Sequence, residues 1–120
     1  MTWGWLLSLD LARCCPSAIR SPTIIKAFSK QLVKDIDMVA YGEPLVEHFG
    51  YGSKSGYTLV QLIQTSNITA HFAEEDSAVF LDVFSCKPFE AETVERLCKE
   101  YFKPDAINSV LLERKIPELK

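Results

Sequence analysis

The sequence has no apolar run long enough to cross a bilayer, no block of basic residues, no C-x-x-C pair and no G-x-S-x-G turn. Each absence removes a class of function. The longest early apolar run, Trp3 to Leu9, ends at Asp10 and Arg13, far short of the roughly 20 residues a spanning helix needs. It also lacks the basic leader and small-residue cleavage site of a secretory signal, so the expectation is a cytoplasmic protein with no membrane partner. The formal charge of −3 and a pI near 5.4 provide no basic patch for phosphates, and no nucleic-acid partner is expected. Cys14, Cys15, Cys86 and Cys98 do not combine with His48 and His71 at zinc-ligand spacing, so no metal site is expected. Cys14 and Cys15 read as reduced thiols in a loop.

What remains is an ordinary globular composition, 48% apolar and 24% charged over 120 residues. That is enough for a single domain, residues 1–120, to bury one core without disulfides. From Leu7 the first apolar stretch alternates to Leu11 as a strand does, and Arg13–Ser21 reads as a loop. Ser21 and Pro22 form a cap and first-turn pair for a helix to about Met38, in which Ile24, Ile25, Phe28, Leu32, Val33 and Ile36 recur at helical spacing. Pro44–Phe49 alternates as a strand. The tract Gly50–Gly56 is a loop, and it lacks the ending and the following helix of a phosphate-binding loop.

Tyr57–Gln64 is rich in strand formers, and Ile68–Phe72 continues the pattern after Thr65-Ser66-Asn67. The acidic turn 73–77 leads into a strand at 78–84, a helix at 88–101 and a closing strand at 106–112. The expected class is therefore α+β: a two-layer sandwich with a mainly antiparallel sheet and helices on one face.

Three residues on these segments carry chemistry by type. Ser66 alone reads as a bend or bulge residue, His71 as a hydrogen-bonded structural imidazole and Cys86 as a small hydrophobe. Together they suggest one site. The turn at 73–77 returns the chain beside the His71 strand, and Thr58 could meet Ser66 only if the chain reverses or bulges between them.

Gly56-Tyr-Thr58, Thr65-Ser66-Asn-Ile-Thr-Ala-His71, Glu75 and Leu81-Asp-Val-Phe-Ser-Cys86 resemble the core of the prokaryotic S-adenosylmethionine decarboxylases. The resemblance covers most of residues 3–112. It implies a pyruvoyl cofactor generated by the chain itself from Ser66, with cleavage between Thr65 and Ser66 into pieces 1–65 and 66–120. Thr58 would be the processing hydroxyl and His71 the processing acid or base. The pyruvoyl group would form a Schiff base with the substrate amine, Cys86 would return a proton to carbon, and Glu75 would hold the ribose of S-adenosylmethionine. For the sulfonium and adenine, Trp3, Trp5, Phe49 and Tyr51 are aromatic candidates. The resemblance also implies a homodimer with sites near the interface and a product used in spermidine synthesis.

The chain departs from the family pattern at Thr65 and Asn67, which stand where Glu and His are usual. Phe72-Ala-Glu-Glu75 stands where an aromatic-Pro-Glu run is usual. Two alternatives follow: a pyruvoyl-dependent decarboxylase of an amino acid such as ornithine or arginine, and an unprocessed regulatory homologue.

Overall fold

The computed structural model describes residues 1–119 as one six-stranded sheet with helices on one face. The chain runs β1 (Thr2–Ala12), α1 (Pro16–Ile19), α2 (Pro22–Asp35), β2 (Leu45–Phe49), β3 (Gly56–Ile63), β4 (Ser66–Ala73), β5 (Ala78–Ser85), α3 (Ala91–Phe102) and β6 (Ala106–Lys115). A single 3-10 turn, Gly52–Lys54, precedes β3. The strand order is β2-β3-β4-β5-β1-β6, and every neighbouring pair is antiparallel. The α+β class and the helices-on-one-face layering expected from the sequence are what the chain adopts.

Helix α2 begins as its sequence predicts. Ser21 Oγ accepts the Ile24 N–H at 3.1 Å, and Pro22 occupies the first turn, where a missing N–H costs nothing. It ends at Asp35, short of Met38, because Asp37 takes a left-handed turn at φ +58°. Part of the expected loop 13–21 is the one-turn helix α1, started by Pro16. Helix α3 begins at Ala91, not Pro88, and a left-handed Lys103 stops it.

Alternation assigns the two faces of the sheet. Leu7, Leu9, Leu11, Leu59, Ile63, Ile68, Ala70, Phe72, Val79, Leu81 and Val83 are buried beneath α2 and α3. Phe28 of α2 and Phe72 of β4 meet Phe102 of α3 at centroid distances of 4.7 and 5.3 Å, joining the two layers. Among the described residues, no helix covers the other face. Trp3 stacks on Phe84 at 5.8 Å, Arg114 lies over the same ring, and Leu62, Phe80, Val110 and Leu112 stand about half exposed.

Gly56 marks the start of β3 for a steric reason. A Cβ there would fall 1.7 Å from the Phe72 carbonyl oxygen, so only glycine lets β3 lie this close to β4.

Candidate functional site

Strands β3 and β4 are joined by Gln64 and Thr65 alone, with Ile63 and Ser66 as the closing pair. Thr65 has φ +65°. A β-branched residue in the left-handed region carries strain on the order of 1–3 kcal/mol, which the surroundings must hold in place. Here the holding groups are visible. Thr65 Oγ1 donates to the Gln64 carbonyl at 2.7 Å, Gln64 N donates to Val39 O at 2.9 Å, and Tyr41 N donates to Leu62 O at 2.8 Å. The buried Gln61 amide fastens the same buttress by donating to Gly42 O and Leu62 O.

Cys86 closes over this turn from the end of β5. Its backbone N–H donates to Ser66 Oγ at 2.9 Å, and its Sγ lies 2.6 Å from Thr65 Oγ1. The buried Ser85 fixes the backbone that carries it: Ser85 Oγ donates to Lys87 O at 2.7 Å and accepts from Lys87 N at 3.1 Å. Two hollows flank the turn. One, about 540 Å³, is lined by Tyr41, Leu62, Ile63, Gln64, Thr65 and Ser66. The other, about 210 Å³, is lined by Met38, Val39, Gln64, Thr65, Cys86 and Lys87.

A second polar cluster lies at the opposite end of the sheet. Thr58 stands directly across from His71, with Oγ1 2.9 Å from Nδ1, and His71 Nε2 is 2.8 Å from the Lys54 carbonyl. A carbonyl can only accept, so Nε2 carries the proton of the neutral ring and Nδ1 accepts from the Thr58 hydroxyl. Phe49 ends β2 across from Gly56 and is exposed. Glu75 is exposed in the turn after β4. Its neighbour Glu74, not Glu75, is engaged, 3.0 Å from His48 Nε2.

Ser66, His71 and Cys86, expected on one site, do not all meet within a single copy of the chain. The chain does reverse between Thr58 and Ser66, but the register sets Thr58 opposite His71 and Ser66 opposite Ile63. Five residues of extended strand separate Ser66 from His71, about 16 Å along β4, and the odd spacing puts them on opposite faces. Thr65, Ser66 and Cys86 therefore form one cluster, whereas Thr58, His71, Phe49 and Glu75 share the other end. Of the aromatic candidates, Trp3 is engaged with Phe84, while Trp5 stands opposite Ser85 on β5. Tyr51, 90% exposed, lines neither hollow.

The structure adds residues that sequence reading passed over. Tyr41, read as the opening of a turn, is the aromatic wall beside Ser66. Glu47 stands opposite Thr58. Gln61, a polar residue amid the buried positions Leu59 and Ile63, offered a signal in its break of the alternation. Ser85 offered none beyond adjacency to Cys86.

The cysteines away from these clusters differ in character. Burial, with a smaller contribution from Cys15, pushes the Cys14 thiol up to about 11, and burial pushes Cys98 up to about 12. The half-buried Cys15 is lowered, chiefly because the Ser17 hydroxyl and the Ala18 N–H bond to its thiolate.

The architecture is that of an α+β protein with one helix-covered sheet face and polar clusters at two strand ends. A sequence profile of the S-adenosylmethionine decarboxylase family matches residues 5–115, and the chain belongs to that family of decarboxylases. Among solved structures, the adenosylmethionine decarboxylase from Aquifex aeolicus has a similar fold. Its TM-score is 0.78 at 22% identity, over 99% of this chain and 96% of that one. No curated protein sequence matches the chain.

Proposed function

We propose that the protein is a self-processing, pyruvoyl-dependent decarboxylase of S-adenosylmethionine, which supplies the aminopropyl donor for spermidine synthesis. The observation that carries this reading is the strained Thr65–Ser66 step with the Ser66 hydroxyl and the Cys86 thiol held against it.

Processing follows from these groups. Ser66 Oγ attacks the Thr65 carbonyl carbon, forming a C–O bond as the C–N bond breaks, and the Ser66 amine is freed. Loss of the Ser66 α-proton then breaks the Cβ–O bond, releasing Thr65 as a carboxylate and leaving a dehydroalanine. Water replaces its nitrogen, ammonia departs, and residue 66 becomes a ketone. No oxidant is needed. Strain at Thr65 relaxes as the backbone opens, which lowers the barrier to the first step. The proton transfers are general acid–base work suited to the Thr58–His71 pair.

A pyruvoyl group at residue 66, held between Thr65 and Cys86, would supply a carbonyl for the substrate amine and an electron sink for decarboxylation. Cys86 then delivers a proton to carbon from the small hollow beside Thr65. Tyr41 offers an aromatic face for the sulfonium or the adenine in the larger one.

The separation of the two clusters supports a homodimer. The uncovered apolar face bearing Trp3, Phe80, Phe84, Leu62, Val110 and Leu112 suits burial against a second copy. Thr58 and His71 of one copy would then serve Ser66 of the other, with Phe49 and Glu75 arriving from the same end. Release of labelled carbon dioxide from S-adenosylmethionine, ornithine and arginine, measured in parallel, tests the assignment. Activity on S-adenosylmethionine alone is expected, and activity confined to an amino acid would displace it. A chain that never cleaves yet raises a partner decarboxylase's activity would make it a regulatory subunit.

A further inference from the structure

We propose that Gln61 is a positioning residue for chain cleavage: its buried carboxamide holds the 39–43 segment against the end of β3 and so keeps the Thr65–Ser66 step strained. This rests on the functional reading above, in which the chain breaks at that step.

Gln61 lies between Leu59 and Ile63 on the helix-covered face of β3 and is 1% exposed. An apolar side chain there would need no partner, whereas a buried carboxamide must be bonded at both ends. Both ends are bonded. Carbonyls only accept, so the contacts to Gly42 O at 3.2 Å and Leu62 O at 2.8 Å fix the NH2 end toward them and spend both of its hydrogens. The oxygen end accepts from the buried Ser29 hydroxyl of α2 at 3.5 Å.

The segment held in this way has little else to keep it in place. Residues 39–43 are all exposed, so packing does not anchor them. Among the described residues, the other side-chain tie is the Lys30–Glu43 ion pair at 3.0 Å, which is exposed and weak. Yet this segment supplies the Val39 carbonyl that accepts the Gln64 N–H at 2.9 Å, one residue before the strained Thr65. The Leu62 carbonyl accepts both the Gln61 amide and the Tyr41 N–H, so the two ties meet on one atom. Without the amide the segment can drift from β3, Gln64 N–H loses its acceptor, and Thr65 can leave φ +65° for an unstrained conformation. Both the strain and the placement of the attacked carbonyl are then lost.

Two substitutions separate the donor end of Gln61 from its burial. Gln61→Met fills nearly the same space and removes both donors, whereas Ser29→Ala removes the partner of the oxygen end and leaves both donors in place. Cleavage is followed by intact mass at a temperature well below each melting midpoint. It should slow by about tenfold or more in Gln61→Met and stay within about twofold of the parent in Ser29→Ala. In parallel, each substitution is made with Ser66→Ala, and amide hydrogen exchange is read residue by residue by NMR. Gln61→Met should speed exchange at Tyr41 and Gln64 by about tenfold while the amides of β1 and β5 keep their protection. A residue that only stabilised the fold would speed them all. Unchanged exchange at Tyr41 and Gln64 in Gln61→Met overturns the proposal, whether or not the chain proves to cleave itself. A cleaving parent matched in rate by Gln61→Met overturns it as well. Faster local exchange in a chain whose parent never cleaves supports the clamp and counts against the functional reading alone. Should Gln61→Met fail to fold, Gln61→Leu carries the same expectations.

Discussion

Thr58 and His71 face each other across β3 and β4 with the hydroxyl 2.9 Å from Nδ1, and the far ring nitrogen is tied to the Lys54 carbonyl. The imidazole is therefore held at both edges, in one tautomer. If this pair moves the protons of chain cleavage, removing either partner should slow cleavage by about 100-fold, the lower range for a positioned acid–base group. Thr58→Val and His71→Ala should show this in a time course of intact mass, and Thr58→Ser should cleave close to the parent rate.

The distance between the two clusters makes a second test available. A Ser66→Ala chain keeps Thr58 and His71, and a His71→Ala chain keeps Thr65, Ser66 and Cys86. Alone, each should stay whole. Mixed under conditions that allow subunit exchange, the His71→Ala chain should begin to cleave, because one interface of the mixed pair holds both halves. Failure of cleavage in a demonstrably mixed dimer would assign both halves to one chain.

Backbone strain at Thr65 predicts a contrast between two substitutions. Glycine adopts φ +65° without penalty, so Thr65→Gly removes a store of about 1–2 kcal/mol. Cleavage of that variant should slow by about fivefold or more, by the usual relation of barrier to rate. Thr65→Val retains the strain and should not slow. Rates of fragment formation on a gel decide between them.

The buried thiols set an alkaline limit. Both Cys14 and Cys98 have folded values raised above the ordinary 9.0, to about 11 and about 12. Their contribution to stability is complete below pH 9 and is lost as pH climbs toward those values. Thermal melting across pH 7–11 should therefore fall above pH 9, and Cys98→Ala should flatten that fall. Iodoacetamide near neutral pH should label the half-buried Cys15, whose thiolate is stabilised, faster than the buried Cys14 and Cys98.

Much of this arrangement is legible in the sequence, and the reasons are local. The Ser21–Pro22 cap and the spacing from Ile24 to Ile36 specify α2, and alternation specifies the strands from β3 to β5. The layering follows because those apolar stripes must meet. Register is a different matter. Nothing in Tyr57–Phe72 announces that the chain turns in two residues at Gln64–Thr65, since neither is a glycine or an asparagine. That turn decides that Thr58 meets His71 and not Ser66. The strained Thr65 is held there by Val39, Tyr41 and Cys86, all distant in sequence. Local propensity could not have revealed it.

The central claim is that the Thr65–Ser66 bond breaks and leaves a ketone at residue 66. Intact-mass measurement of the purified chain after prolonged incubation tests it most directly. The expected result is two species, residues 1–65 and residues 66–120, the second lacking a free amino terminus and shifting in mass on treatment with hydroxylamine. A single full-length mass, unchanged with time, would contradict the account.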